Sequence, residues 1–391
     1  MINVLLLVKR YNGNYPLLNE MAKLDSHRYR CVVCYLGGAN DGRNLLDGIA
    51  RTYYLDLRNS EIKPWNGKTR RLLKKILDDE QIHVMNCHLQ RTIAVGVAAA
   101  KAARLRPTVL ATLHGLGSAG SLQRKLGNWL LYRSLYKVIG VSDAVRDDLL
   151  RNNWGLAESK VVTVHNGIEP SPFLTETTRS IARKTVCPIA DPGGFWFGSL
   201  GRFSEVKNQM MLLRAFARVV AVEPQSRLLL AGRGELEGEL KAISNQLGIA
   251  NQIYFLGFRQ DVPEILRAID VFVLPSLREG LPLSIMEAMC SGLPVVASRV
   301  GGIPELFGDV DMGRLVDPTD EVGLADSMLA LIRLSEQDRQ QLGMNARRRA
   351  LDHFTAGRMT SKYAEIYAAA FNEAVRPAKA CSARAGLDGR P

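Results

Sequence analysis

The chain has 391 residues, 47% of them apolar and 23% charged, the balance of an ordinary soluble globular protein but too long for one compact core. A formal charge of +12 suits phosphorylated ligands or acidic lipid, while 7% aromatic content and the lack of any familiar nucleic-acid module tell against nucleic acid. No run reaches the ~18 uninterrupted apolar residues of a membrane span, and MINVLLLVKR has no basic n-region, so the N-terminus reads as a first strand of a cytoplasmic protein rather than a signal peptide.

In chain order, strand-like and helix-like segments alternate. Apolar runs at 2–8, 31–36, 82–87, 109–113, 137–141 and 161–164 are separated by helical patterns such as 67–79, 91–105 and 143–151. Cys31 and Cys34 form C-x-x-C inside the second run, where side chains three apart point to opposite faces. That is core packing rather than a redox pair. Cys87 and His88 lack a second ligand pair at metal spacing and read as packing too. Gly115, Gly117 and Gly120 match G-x-G-x-x-G after a strand. The strand is a late one, however, and Tyr136–Gly140 stands where a ribose-binding acid is required. These glycines read as a cleft loop after His114. Residues 121–137 read as an amphipathic helix, with Leu122, Leu126, Trp129, Leu130 and Leu135 among Arg124, Lys125, Arg133 and Lys137. Basic residues beside Trp and Tyr suit an anionic membrane interface.

Prolines at 170, 172, 188 and 192 mark an interdomain connection. The alternation then restarts with short continuous apolar strands at 195–200, 227–231, 252–256, 271–274 and 295–297, as in a parallel sheet. Helices are expected at 208–222, 235–247, 262–268 and 283–290, and a helical end at 321–375. The fold class is α/β, two doubly wound domains with a cleft between them.

The chemistry concentrates past residue 195. In G-S-L-G-R-F-S-E-V-K-N (198–208), Arg202 on a turn and Lys207 at a helix mouth converge on one anion. In L-P-S-L-R-E-G-L-P-L-S-I-M-E-A-M-C-S-G-L-P-V-V-A-S (274–298), Glu279 on a loop and Glu287 in a helix, eight residues apart, point into the same crevice. Gly280 and the amides of Leu281, Leu283 and Ser284 offer an anion nest. A D-V-D triplet at 309–311 sits in a turn beyond these motifs and is not read as a metal site.

These segments, with L-A-G-R-G-E, F-L-G-F-R-Q-D-V-P-E, V-S-D-A-V and V-H-N-G-I-E, closely resemble the retaining GT-B glycosyltransferases of family 4. The resemblance spans about residues 1–375 and is most specific from 196 to 305. It implies a metal-independent hexosyltransferase of bacterial cell-surface polysaccharide assembly. Its co-substrate would be a nucleotide-diphosphate sugar, UDP-linked, and no other cofactor is needed. It implies that Glu287 binds the donor ribose, Glu279 faces the sugar, and Arg202 and Lys207 hold the diphosphate. Leu283 and Ser284 would bind phosphate oxygens through their amides, and Phe258 and Arg259 would pack on the base. Gly232 and Gly234 match a turn near the base. His114 matches a histidine near the transferred sugar. Many relatives carry two glycines after the first strand, where only Gly13 occurs here. Asn12, Gly13, His114 and Gly115 are the acceptor-side candidates.

The acceptor reading is a lipid-linked glycan, lipopolysaccharide core first, reached from the cytoplasmic face of the inner membrane. The division reads as an acceptor domain at 1–168, a linker at 169–192, a nucleotide-sugar domain at 193–352, a helix at 353–375 packing back on the first domain, and a disordered tail at 376–391. A nucleotide-sugar 2-epimerase and a non-catalytic nucleotide-sugar-binding protein are the alternatives.

Overall fold

The computed structural model describes residues 1–11, 13, 15–42, 44–117, 120–175, 178–188 and 193–375; Asn12, Asn14 and the tail 376–391 lie outside them. The first half forms one parallel sheet from β1 (Ile2–Arg10), β2 (Tyr29–Gly37), β3 (Arg51–Tyr54), β4 (Val84–His88), β5 (Thr108–Leu113), β6 (Val138–Gly140) and β7 (Val161–Thr163), in the order 3-2-1-4-5-6-7. The second half forms another from β8 (Trp196–Leu200), β9 (Arg227–Ala231), β10 (Ile253–Gly257), β11 (Val271–Leu274), β12 (Val295–Ser298) and β13 (Gly313–Val316), in the order 10-9-8-11-12-13. Both are doubly wound sheets of the expected GT-B arrangement.

Central strands are buried on both faces, so their sequences run apolar without a break. In β1, Leu5 and Leu7 enter one core while Val4, Leu6 and Val8 enter the other. Cys34 and Cys31 separate in the same way, and burial pushes both thiols up to about 12. The long Ala356–Val375 helix closes the outer face of the first sheet. Its buried Tyr367 hydroxyl accepts a hydrogen bond from Asn86 Nδ2 at 2.9 Å, and its Ala364 carbonyl accepts one from Tyr29 at 2.7 Å. The chain therefore crosses between halves twice. At the crossings, Ile168 N donates to Phe354 O at 3.0 Å and Ala356 N donates to Ile168 O at 2.8 Å. Between the halves, the helix Arg179–Val186 is anchored on the second: Arg183 Nη2 meets the buried Asp270 carboxylate at 2.5 Å.

The seam also carries a helix cap contributed from the far side. The helix Asp143–Asn152 starts with Ser142 accepting from Val145 N at 3.1 Å. Its next two free amides, Asp143 N and Ala144 N, donate to Glu305 of the second half, each at 2.8 Å. His165 Nε2 lies 2.9 Å from the same carboxylate. A carboxylate on first-turn amides is favoured by the helix dipole as well as by the bonds. Glu305→Ala is expected to cost about 2 kcal/mol and to lower the thermal midpoint. An unchanged midpoint in a calorimetric scan would show that this cap does not hold the seam.

Candidate active site

The carboxyl ends of β8, β9 and β10, with the loop after β11, surround a cavity of about 650 Å³. Strand order reverses at β8, the place where an open parallel sheet leaves a crevice. Leu200, Gly201 and Arg202 enter from the turn after β8; Ala231, Gly232 and Arg233 enter from the turn after β9. These two turns touch, because Gly232 has φ 151° and a Cβ there would collide with the Gly201 carbonyl. Phe258 and Arg259 close one side. The Phe258 ring is exposed, and Arg259 is clamped by Asp261, with Nε to Oδ1 at 2.7 Å.

Lys207 reaches the cavity from a 3₁₀ turn, Glu205–Lys207, ahead of the helix Gln209–Val222. Asn208 joins the two in left-handed backbone, φ 54°, and its side-chain amide donates to Pro318 O at 3.2 Å. Lys207 Nζ donates to Glu279 Oε1 at 2.6 Å, and Ser276 Oγ donates to the same oxygen at 2.7 Å. Both side chains are largely buried, which fixes the pair in one geometry. Arg202 differs. Its guanidinium is exposed and, among the described residues, pairs with Glu235 alone, at 3.0 Å. Such surface pairs are worth about 0–1 kcal/mol, so a stronger anion displaces Glu235 easily.

The helix Leu283–Cys290 opens on the cavity behind Pro282, with no side chain capping its first amides. Leu283 N and Ser284 N are thus available to an anion. Glu287, one turn on, lines the cavity floor without a hydrogen-bond partner among the described residues. Burial pushes its carboxyl up to about 7. That is a poor place for a charge and a good place for a ligand's hydroxyl groups.

Across the cleft, β4 ends in His88 and β5 leads into His114, whose rings lie Nδ1 to Nε2 at 3.0 Å. Burial lowers His114 to about 4 and His88 well below its ordinary value, so the pair is neutral near pH 7. The loop bearing Glu279 rests on this strand end: a Cβ on Gly280 would collide with the His114 carbonyl. Leu281 O accepts from Asn166 Nδ2 at 3.0 Å. Gly280 and Leu281 therefore sit in the contact between halves rather than on the cavity wall. A second cavity, about 360 Å³, adjoins His114 and Gly115. Gly13 lines neither cavity, and Asn12 lies outside the described residues. Asp311 of the D-V-D triplet pairs with Arg314 at 3.4 Å, away from both.

Sequence reasoning missed Arg233 and Ser276. Arg233 stands between Gly232 and Gly234 of the quoted turn, a cation between glycines and a legible signal. Ser276 has no signal apart from lying three residues before Glu279.

Two family models match this chain, one described as glycosyl transferases group 1 over residues 190–349 and one as glycosyltransferase family 4 over residues 17–172. The chain belongs to the family 4 GT-B glycosyltransferases. A UDP-Gal:alpha-D-GlcNAc-diphosphoundecaprenol alpha-1,3-galactosyltransferase of Escherichia coli is 26% identical to this glycosyltransferase over 75% of the chain and 77% of its own length. An N-acetyl-alpha-D-glucosaminyl L-malate synthase of Bacillus anthracis is 29% identical over 67% of the chain and 68% of its own. In fold, Anabaena Alr3699/HepE, solved with UDP and glucose, superposes with a TM-score of 0.81 at 23% identity, covering 94% of this chain and all of that one.

Glu287 makes the glycosyltransferase's stability pH-dependent in a defined direction. Its carboxyl binds a proton more tightly in the folded chain, about 7 against 4.5. The corresponding stability is present below about 4.5 and is lost as pH rises through 7. Glu287→Gln is expected to match the parent near pH 4.5 and to exceed it by about 1–3 kcal/mol at pH 8. Denaturant midpoints at the two pH values check this, and a difference that does not grow with pH would contradict it.

Proposed function

We propose that this glycosyltransferase moves a sugar from a UDP-linked donor to a lipid-linked glycan, with retention of anomeric configuration and no metal. The observation that carries the reading is the buried Lys207–Glu279 pair at 2.6 Å, set beside the uncapped helix start at Leu283 and Ser284. A donor diphosphate in this cavity meets Lys207, Arg202 and two free amides. The base lies against Phe258 and Arg259, and the ribose hydroxyls donate to Glu287. As the bond from C1 to the phosphate oxygen breaks, the electron pair moves onto the diphosphate. Lys207, held by Glu279, and Arg202, released from Glu235, neutralise that charge, the work a metal does in other sites. Glu279 holds Lys207 and faces the sugar. Neutral His114 offers a hydrogen bond to a sugar hydroxyl from the opposite wall. The acceptor hydroxyl oxygen bonds to C1 on the face the phosphate leaves, and its proton passes to the departing phosphate oxygen.

The lipid-linked acceptor draws support from the helix Leu122–Tyr132. Its polar Asn128 and Tyr132 face inward and bond to Gln90 of the next helix, Tyr132 at 3.1 Å. Leu122, Leu126 and Leu130, one stripe at i, i+4 and i+8, are 70%, 54% and 59% exposed. Leu135, expected on the same apolar face, is instead buried beyond the helix end. With Lys125 and Arg133 alongside, the stripe suits an anionic membrane surface. No helix among the described residues is long and apolar enough to cross a membrane. The Escherichia coli relative takes an acceptor on diphosphoundecaprenol, consistent with this reading.

Two measurements test the proposal. Glu279→Gln should keep UDP affinity within about threefold yet lower transfer by about 100-fold, the scale of losing one preorganised group. Unchanged kcat, or product without acceptor as an epimerase gives, would overturn it. In vesicle flotation, the chain should bind phosphatidylglycerol and leave phosphatidylcholine, and the combined Leu122→Ser, Leu126→Ser and Leu130→Ser variant should be released. Flotation unaffected by the serines would remove the membrane contact.

A further inference from the structure

The second cavity is a cationic pocket with no assigned occupant. Its walls are the start of the helix Gln90–Ala102, the residues His114–Gly117 after β5, and the start of the helix Leu122–Tyr132. Arg91 and Arg124 enter it from two different helices. Neither guanidinium has a carboxylate partner among the described residues, and no acidic side chain lines the cavity. Asp148, which reaches the loop from the helix Asp143–Asn152, is occupied: it accepts from Gly117 N at 3.0 Å and from Asn152 Nδ2 at 2.9 Å. Two unpaired arginines facing one cavity repel each other, and an anion between them relieves that repulsion.

The pocket is held in shape by buried polar bonds. Gln90 bonds to Asn128 and accepts from Tyr132 at 3.1 Å, and Asn128 Nδ2 donates to Asn153 Oδ1 at 2.6 Å. This network ties the helix that carries Arg91 to the helix that carries Arg124. The two helix starts that carry the arginines are therefore held together, so that one phosphate or diphosphate can meet both guanidiniums. The pocket also has a direction. Its inner end is His114 and Gly115, at the contact with the loop of Glu279 and Gly280. Its outer end is the helix whose opposite face carries the exposed leucines.

We infer that this cavity seats a phosphate or diphosphate group of the acceptor, with Arg91 and Arg124 as its ligands and the acceptor's reacting sugar extending past His114 toward the donor. The inference rests on the glycosyltransfer reading and adds the acceptor's chemical class. Two sources share that chemistry: a lipid-borne diphosphate, whose hydrocarbon runs out toward the leucine stripe, and a soluble sugar phosphate, which has none.

Calorimetric titration of inorganic pyrophosphate, and separately of farnesyl diphosphate, into UDP-saturated protein tests it. Both should bind. The Arg91→Ala, Arg124→Ala double variant should weaken both by more than about tenfold, with UDP affinity and thermal midpoint unchanged. Farnesyl diphosphate binding more tightly than pyrophosphate identifies the lipid source, and equal binding identifies the soluble one. No binding to the UDP-saturated protein, or binding indifferent to both arginines, overturns the inference. Failure of UDP itself to bind tells against the donor reading instead. The pyrophosphate titration, run without UDP, still reads the arginines by their substitution.

Discussion

The contact on which the cleft depends is a backbone one. The loop at 279–281 leaves the second sheet and presses against the carbonyl of His114 at the end of β5, a fit that only glycine at 280 permits. Around this point the halves exchange further bonds. Asn166 of the first half reaches Leu281 O, while Gly302 N of the second half braces the loop from behind by donating to Gly280 O at 3.0 Å. Glu305 caps the helix of the other half. A seam built from backbone groups and a cap is stiff but small, so it orients two sheets without welding them. It also sets the residue that holds Lys207 one peptide away from the residue that touches His114. Donor and acceptor sides of the reaction are thereby linked through Glu279 and Gly280.

Electrostatics divide the cleft in two. In the second half, Lys207, Arg202 and Arg233 gather at a cavity where Glu287 is the one acid among the described lining residues, and burial disfavours its charge. In the first half, the buried His88 and half-buried His114 are held neutral, and two arginines have no carboxylate partner among the described residues. The overall excess of positive charge is thus spent partly at the places where phosphate chemistry is proposed. Some of the rest serves the fold, as where Arg347 and Arg349 donate to backbone carbonyls, and some lies on the surface beside the exposed leucines of one helix.

Much of this was legible in the sequence, for physical reasons. Central strands bury both faces and so read as unbroken apolar runs. Edge strands do so less dependably: β7 and β10 still read as apolar runs, whereas β3 (R-T-Y-Y) and β13 (G-R-L-V), which leave much of their surface to solvent, do not. The terminal helical stretch reads as continuous but breaks at Ser335, which caps its own helix, and near Thr355, where Ile168 pairs with the backbone. The donor-side cations and carboxylates were readable because their glycine, proline and strand context lies close by in sequence. Glu305 was not, since its partners lie some 160 residues away. The pairing of His88 with His114 needed the β4–β5 register, which sets His88 opposite Thr112. The helix at 122–132 had a legible stripe but an illegible orientation. Leucines normally face inward, and here Asn128 and Tyr132 take that place.

The central claim is that the nucleotide lies in the second half, across the helix start at Leu283. A crystal structure of the protein with UDP tests it most directly. The expected result is the ribose on Glu287, the diphosphate between Lys207, Arg202 and the amides of Leu283 and Ser284, and the base against Phe258 and Arg259. Nucleotide found instead against Gly115 and Gly117 of the first half, or no nucleotide in the cavity at saturating concentration, would contradict it.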